Sequence, residues 1–66
     1  MMPLAQITLT EGTTDDQKRK LLATITDAFE QSLGTPRDAV RVIISEVPTS
    51  AWAVGGVSVR DRQAKT

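Results

Sequence analysis

Residues 14–36 read TDDQKRKLLATITDAFEQSLGTP, and this stretch decides the fold. Leu21, Leu22, Ile25, Ala28, Phe29 and Leu33 recur at steps of three and four, which aligns them as one apolar stripe on a helix. Lys18, Arg19, Asp27, Glu30 and Gln31 take much of the remaining surface. The start and stop are chemically marked. Thr14 followed three residues later by Gln17 fits a capping box, and Asp15 and Asp16 sit where the helix dipole favours negative charge. Gly34 suits the left-handed position that ends a helix, and Pro36 follows where a helix cannot continue. The spacing predicts an amphipathic helix of about five turns beginning near Thr14.

On the amino-terminal side lies PLAQITLT, residues 3–10, in which Ala5, Ile7 and Leu9 alternate with Gln6, Thr8 and Thr10. Period two is the mark of a strand with one face in the core, and Leu4 adds an apolar group to the other face. On the carboxyl side lies AVRVIISE, residues 39–46, with Val40, Val42 and Ile44 on one face and Arg41, Ile43 and Ser45 on the other. Strand, helix and strand make a β-α-β unit, whose two strands are parallel with a right-handed crossover. Further on, AWAV (51–54) and VSVR (57–60) flank Gly55-Gly56, a dipeptide that accepts the positive φ angles of a tight hairpin. The expected fold class is therefore α+β, a single domain over residues 1–66 with a polar tail at about 61–66.

One helix covers one face of a two-stranded sheet, so the face carrying Leu4, Arg41 and Ile43 is left for another copy of the chain to cover. Size points the same way. A domain of 66 residues buries only about 60% of the surface its unfolded chain exposes. The chain has no cysteine for disulfides and no histidine to favour a metal, which leaves self-association as the source of further burial. The hairpin, short of local partners, is the natural segment to reach across to a neighbour.

Eight Lys and Arg balance eight Asp and Glu, so no global positive field exists to drive binding to nucleic acid. Apolar runs such as VRVII and AWAVGGV fall far short of the roughly 20 residues of a membrane span, and no signal-peptide pattern is present. The chain is read as cytoplasmic, with no membrane partner.

The catalytic inventory is thin. With no Cys, His or Tyr, conventional triads and zinc sites are excluded, and Gly55-Gly56 lacks the spacing and following helix of a phosphate-binding loop. Three residues stand out. Pro3 is a secondary amine, hence a base, if it carries the free amino terminus, and a non-basic amide if Met1 and Met2 precede it. Arg41 sits in an apolar strand with a guanidinium that cannot shed its charge. The pattern fits an exposed arginine or one paired with Glu46, Asp38 or a neighbouring subunit's carboxylate; it also fits a clamp for a ligand carboxylate. Trp52, the sole tryptophan, suits a core or interface anchor as well as a site wall.

PLAQITLTEG, TTDDQKRKL, AVRVIISE and WAVGG, in this order, resemble the 4-oxalocrotonate tautomerase family of the tautomerase superfamily, from Pro3 to about Val57. The resemblance implies a β-α-β protomer assembled as a hexamer, a trimer of dimers, with sites shared between subunits; a homohexamer or a mixed assembly fits. It implies a cofactor-independent isomerase acting on a small carboxylate substrate. In that family an amino-terminal proline is the general base that converts enols or dienols of 2-oxo acids, of the 2-hydroxymuconate or arylenolpyruvate type, to keto forms. Pro3 matches the catalytic proline, Arg41 the arginine that binds the substrate carboxylate from an adjacent subunit, and Trp52 a phenylalanine that forms an apolar wall. No metal or organic cofactor is implied.

One position departs. Where the family's type enzyme has an arginine gripping the far carboxylate of a diacid, this chain has Thr13. Exchanging a charge-assisted bond for a neutral one weakens diacid recognition by about 1–3 kcal/mol, roughly 5- to 150-fold. A monoacid is expected to suffer less. Arg37, Arg60 and Arg62 are the cations available to compensate. Two other readings fit the same residues. One is a non-catalytic or partner-dependent assembly subunit with Pro3 blocked, since initiator-methionine removal requires a small second residue and Met2 is not small. The other is a 3-haloacrylate dehalogenase or hydratase using Glu11 or Glu46 to activate water.

Overall fold

A computed structural model describes residues 2–64. Strand β1 (Leu4–Thr10) leads through a four-residue connection into helix α1 (Asp15–Leu33), and a short 3-10 turn (Arg37–Ala39) precedes strand β2 (Arg41–Val47). The two strands pair in parallel, with Leu4 opposite Arg41 and Thr10 opposite Val47. After a second 3-10 turn (Thr49–Ala51), strands β3 (Ala53–Val54) and β4 (Val57–Ser58) form an antiparallel hairpin, and helix α2 (Val59–Ala64) follows.

The ends of α1 form by the chemistry expected of them. The Gln17 amide donates to Thr14 Oγ1 at 3.1 Å while the Thr14 amide donates to Gln17 Oε1 at 2.9 Å, satisfying two otherwise orphaned N–H groups. Gly34 closes the helix at φ 68°, its N–H donating to the Glu30 carbonyl at 3.0 Å. Arg37 then ties the outgoing chain back to α1 by ion pairs with Asp27 and Glu30. In the hairpin both Gly55 and Gly56 have positive φ, as a two-residue turn matching the twist of its strands requires.

Three expected boundaries shift. The second strand begins at Arg41, because Ala39 belongs to the 3-10 turn before it. Likewise Ala51 lies in a 3-10 turn, so the first hairpin strand is only Ala53–Val54. The second stops at Ser58, where the Ser58 hydroxyl accepts from the Asp61 amide and α2 starts. Residues 61–64 of the expected polar tail are thus helical, and residues 65–66 lie outside the described residues.

Only Val40 and Thr35 are buried among the described residues, and no side chain is fully enclosed. Ala5, Ile7, Leu9, Val42 and Ile44 turn toward α1 and are half-buried; Leu4 and Ile43 lie on the opposite face, 52% and 48% exposed. The hairpin and α2 pack chiefly on each other and on the preceding 3-10 turn, away from the β-α-β body. The chain is consequently elongated, 46 × 24 × 15 Å, with a radius of gyration of 15.4 Å against about 11 Å for a compact chain of this length. Its accessible surface, 4861 Å², exceeds the roughly 4,100 Å² typical of a 7.1 kDa monomer by about 800 Å², which is what one partner contributes to a standard interface.

Candidate active site

The register of the parallel pair places Pro3 and Arg41 at one end of the sheet. The Arg41 amide donates to the Pro3 carbonyl at 3.0 Å, extending the ladder one residue beyond Leu4. Side chains alternate along a strand, so Pro3 falls on the α1 side with Ala5 and Ile7, whereas Arg41 falls on the uncovered side with Leu4 and Ile43. Within one protomer the two functional groups are therefore adjacent in backbone but separated by the sheet.

Thr13 and Trp52 lie at the other end. Thr13 sits in the connection leaving β1, and Trp52 follows the turn leaving β2. Glu11 links these regions: its amide donates to the Val47 carbonyl at 2.9 Å and its carboxylate accepts from the Thr49 amide at 3.4 Å. From Pro3 to Thr10 the strand advances seven residues, about 23 Å at about 3.3 Å each. A pocket combining Pro3 and Arg41 with Thr13 and Trp52 requires more than one copy of the chain.

Charge is distributed unevenly over the cations. Arg19 pairs with Asp16, Arg37 with Asp27 and Glu30, and Lys18 with Glu46 and Asp15. Arg41 bonds only main-chain carbonyls, Asp38 at 2.7 Å and Val40 at 3.4 Å, and has no carboxylate partner among the described residues. The pairing with Glu46 or the Asp38 carboxylate considered from the sequence is thus not the one formed. Of the possible substitutes for the missing arginine, Arg37 is occupied by two carboxylates and Arg62 donates to the Val54 carbonyl at 2.9 Å; Arg60 is exposed on α2.

Glu46 went unrecognised as a structural group in the sequence. It stands opposite Leu9 in the register, hence on the α1 side, and meets Lys18 from the helix. The Lys18 ammonium is the main cause holding the Glu46 carboxyl below its usual range, and the backbone N–H dipoles of Thr13 and Gly12 act weakly in the same direction. Glu46 in turn is the main cause that raises Lys18. A carboxylate engaged in this way is poorly placed to activate water. The signal available in the sequence was a charge at position 46 in phase with Val40, Val42 and Ile44.

Among the described residues no cluster of acidic, histidine or cysteine side chains suits a metal ion, and no helix is long and apolar enough to cross a membrane.

A small β-α-β chain with a parallel pair, a projecting hairpin and an arginine without a carboxylate partner on the open sheet face is a protomer with one sheet face left uncovered. The family model described as tautomerase enzyme matches residues 3–62. A probable tautomerase of Ralstonia nicotianae is 52% identical over 56 residues, 85% of this chain and 80% of that protein. The 2-hydroxymuconate tautomerase of Stutzerimonas stutzeri is 42% identical over 59 residues, 89% of this chain and 94% of the relative. Among solved structures, TomN, a 4-oxalocrotonate tautomerase homologue of the tomaymycin biosynthetic pathway, superposes with a TM-score of 0.92 at 45% identity, covering 94% of this chain and 95% of its own. A heterohexameric 4-oxalocrotonate tautomerase from Chloroflexus aurantiacus gives 0.83 at 38% identity, covering 92% and 97%. The chain belongs to the 4-oxalocrotonate tautomerase family of the tautomerase superfamily, and its activity class is that of a tautomerase.

Proposed function

We propose that this tautomerase converts enol forms of 2-oxo acids to keto forms with Pro3 as the general base, in sites built across copies of a hexamer. With translation starting at Met2, removal of that one methionine, which precedes the small Pro3, leaves Pro3 a secondary amine in the working protein. Its nitrogen takes the enol hydroxyl proton and the resulting ammonium returns a proton to carbon, so the base is regenerated and no cofactor enters. Arg41 of a neighbouring copy binds the substrate carboxylate. Trp52 of a third element of the assembly walls the pocket; by keeping water out it favours the neutral amine over the ammonium, and the Arg41 charge acts in the same direction.

The observation that carries this reading is Arg41: a permanent cation on the open face, one strand from Pro3, without a carboxylate partner among the described residues. Assembly is supported by the half-exposed Leu4 and Ile43 beside it, by the projecting hairpin, and by the heterohexamer known for a relative. A mixed assembly is as compatible with these surfaces as a homohexamer. Thr13 at the far end of the pocket offers a hydroxyl, and the charged groups around its loop, Glu11, Glu46, Asp15 and Lys18, sum to two negative charges. That favours a substrate with a single carboxylate and a neutral far end, such as an arylenolpyruvate, over a dienol diacid.

The test is Pro3→Ala in protein whose intact mass lacks both methionines. Loss of a general base is expected to lower turnover of phenylenolpyruvate by about 10²- to 10⁴-fold with the oligomer intact. Full activity in that variant would refute Pro3 as the base. A mass retaining both methionines in fully active protein would refute it equally.

A further inference from the structure

The hairpin that follows Trp52 is too small to stand by itself. Strands β3 and β4 contribute two residues each, Ala53 opposite Ser58 and Val54 opposite Val57, and an isolated two-stranded ribbon is marginally stable at best. Helix α2 holds it at two points. The amide of Val59, the first residue of α2, donates to the Trp52 carbonyl at 2.7 Å. One turn further along, Arg62 reaches back so that its Nη2 donates to the Val54 carbonyl at 2.9 Å. Its guanidinium lies at the bend, since an ideal Cβ at Gly55 would stand 3.5 Å from the same nitrogen. No carboxylate pairs with Arg62 among the described residues. The Ser58 hydroxyl, accepting from the Asp61 amide at 3.1 Å, secures the turn of helix from which Arg62 extends. Helix α2 also packs on the 3-10 turn Thr49–Ala51, immediately before Trp52. The half-buried indole is thus carried by a short segment gripped from α2 on both sides.

We infer that Arg62 is a positioning residue for Trp52: its bond to the Val54 carbonyl fixes the hairpin against α2 and thereby sets where the indole stands in the pocket. The inference rests on the proposed role of Trp52 as the pocket wall. A bond from an ionised donor is stronger than a neutral one, and a guanidinium keeps its charge at any working pH, so the hold is permanent. Lysine can supply a charged donor at this position, whereas methionine keeps only an apolar stem. Arg62 does not touch substrate in this arrangement. It acts through β3, which also withdraws it from the cations that could serve a far carboxylate.

The test compares Arg62→Met and Arg62→Lys in the assembled protein. It reads the fluorescence of Trp52, the sole tryptophan, and steady-state kinetics on phenylenolpyruvate and 2-hydroxymuconate. In Arg62→Met, acrylamide quenching of Trp52 is expected to rise about twofold as the hairpin opens locally. The value of kcat/KM is expected to fall about 2- to 10-fold on both substrates, the scale of one lost hydrogen bond. Arg62→Lys is expected to recover most of both losses, and in a Trp52→Ala background Arg62→Met is expected to add nothing further, as coupled neighbours behave. Unchanged quenching in Arg62→Met overturns the positioning role. So does a kinetic loss confined to the diacid, which would make Arg62 a carboxylate contact, and so does loss of assembly in Arg62→Met, which would make it a requirement of the oligomer. If Trp52→Ala alone leaves kcat and KM unchanged, the wall at Trp52 is refuted instead, and the quenching still decides whether Arg62 holds the indole.

Discussion

Restoring an arginine at position 13 tests the specificity argument most directly. A charge-assisted hydrogen bond contributes about 1.5–3 kcal/mol where a neutral one contributes about 0.5–1.5, so Thr13→Arg gains about 1–2 kcal/mol toward a second carboxylate. The surroundings pull against part of this. Glu46 is a carboxylate near the same loop and attracts any new cation there, by about 1 kcal/mol at 4 Å in a water-like medium. Glu46 already has Lys18, however, and the Thr13 side chain is half-exposed, so the competition trims the gain without cancelling it. With the gain trimmed to about 0.5–1.5 kcal/mol, the ratio of kcat/KM for 2-hydroxymuconate over phenylenolpyruvate is expected to rise about 2- to 13-fold, carried mainly by a lower KM for the diacid. An unchanged ratio in a variant that assembles normally and keeps its monoacid activity would refute the reasoning, because it would mean that position 13 does not face the far end of the substrate.

Two further outcomes follow from surfaces and titration. Ile43 is 48% exposed in the protomer, and covering the rest of such a side chain contributes about 0.7–1.5 kcal/mol per copy, so Ile43→Asp replaces that gain with an unpaired carboxylate at every repeat of the interface. Sedimentation velocity should show smaller species, and tautomerase activity should fall with them; an intact, active assembly would count against burial of that face. The Glu46 carboxyl titrates below its unfolded value of 4.5, so its contribution to stability is complete above that pH and is lost as pH falls through the lower native value. Thermal melts between pH 6 and pH 3 should therefore show a shallower acid decline in Glu46→Gln than in the parent, and parallel declines would show that Glu46 is not a source of the acid sensitivity.

Most of the protomer was legible because its signals are local. The capping box at Thr14, the stop at Gly34 and the period of the apolar residues between them each involve neighbours within four positions, and the structure forms all of them. Parallel pairing followed from the length of the crossover, and the hairpin turn from two glycines. The misplaced boundaries arose where weak propensities compete: Ala39 and Ala51 suit a strand or a 3-10 turn equally, and the turn prevails after Pro36 and after Pro48. The helix over Val59–Ala64 was hidden by its polarity, since a run without apolar period reads as a tail until Ser58 and the packing on the 3-10 turn give it a start and a support.

By itself, then, the sequence determined the β-α-β unit, its family, the presence of a prolyl amine candidate and an arginine, and the absence of an arginine at position 13. Tertiary structure alone decided how these are distributed. Strand parity sends Pro3 and Arg41 to opposite faces, and the parallel register sends Thr13 and Trp52 to the opposite end of the sheet, so no single copy brings the four together. It also decided that Glu46 pairs with Lys18 rather than with Arg41, which leaves that arginine's charge open on the uncovered face. The physical reason is one of range: periodicity and capping act over a few residues, whereas register joins residues some 37 positions apart, such as Leu4 and Arg41, and no local pattern encodes which face or partner that juxtaposition selects.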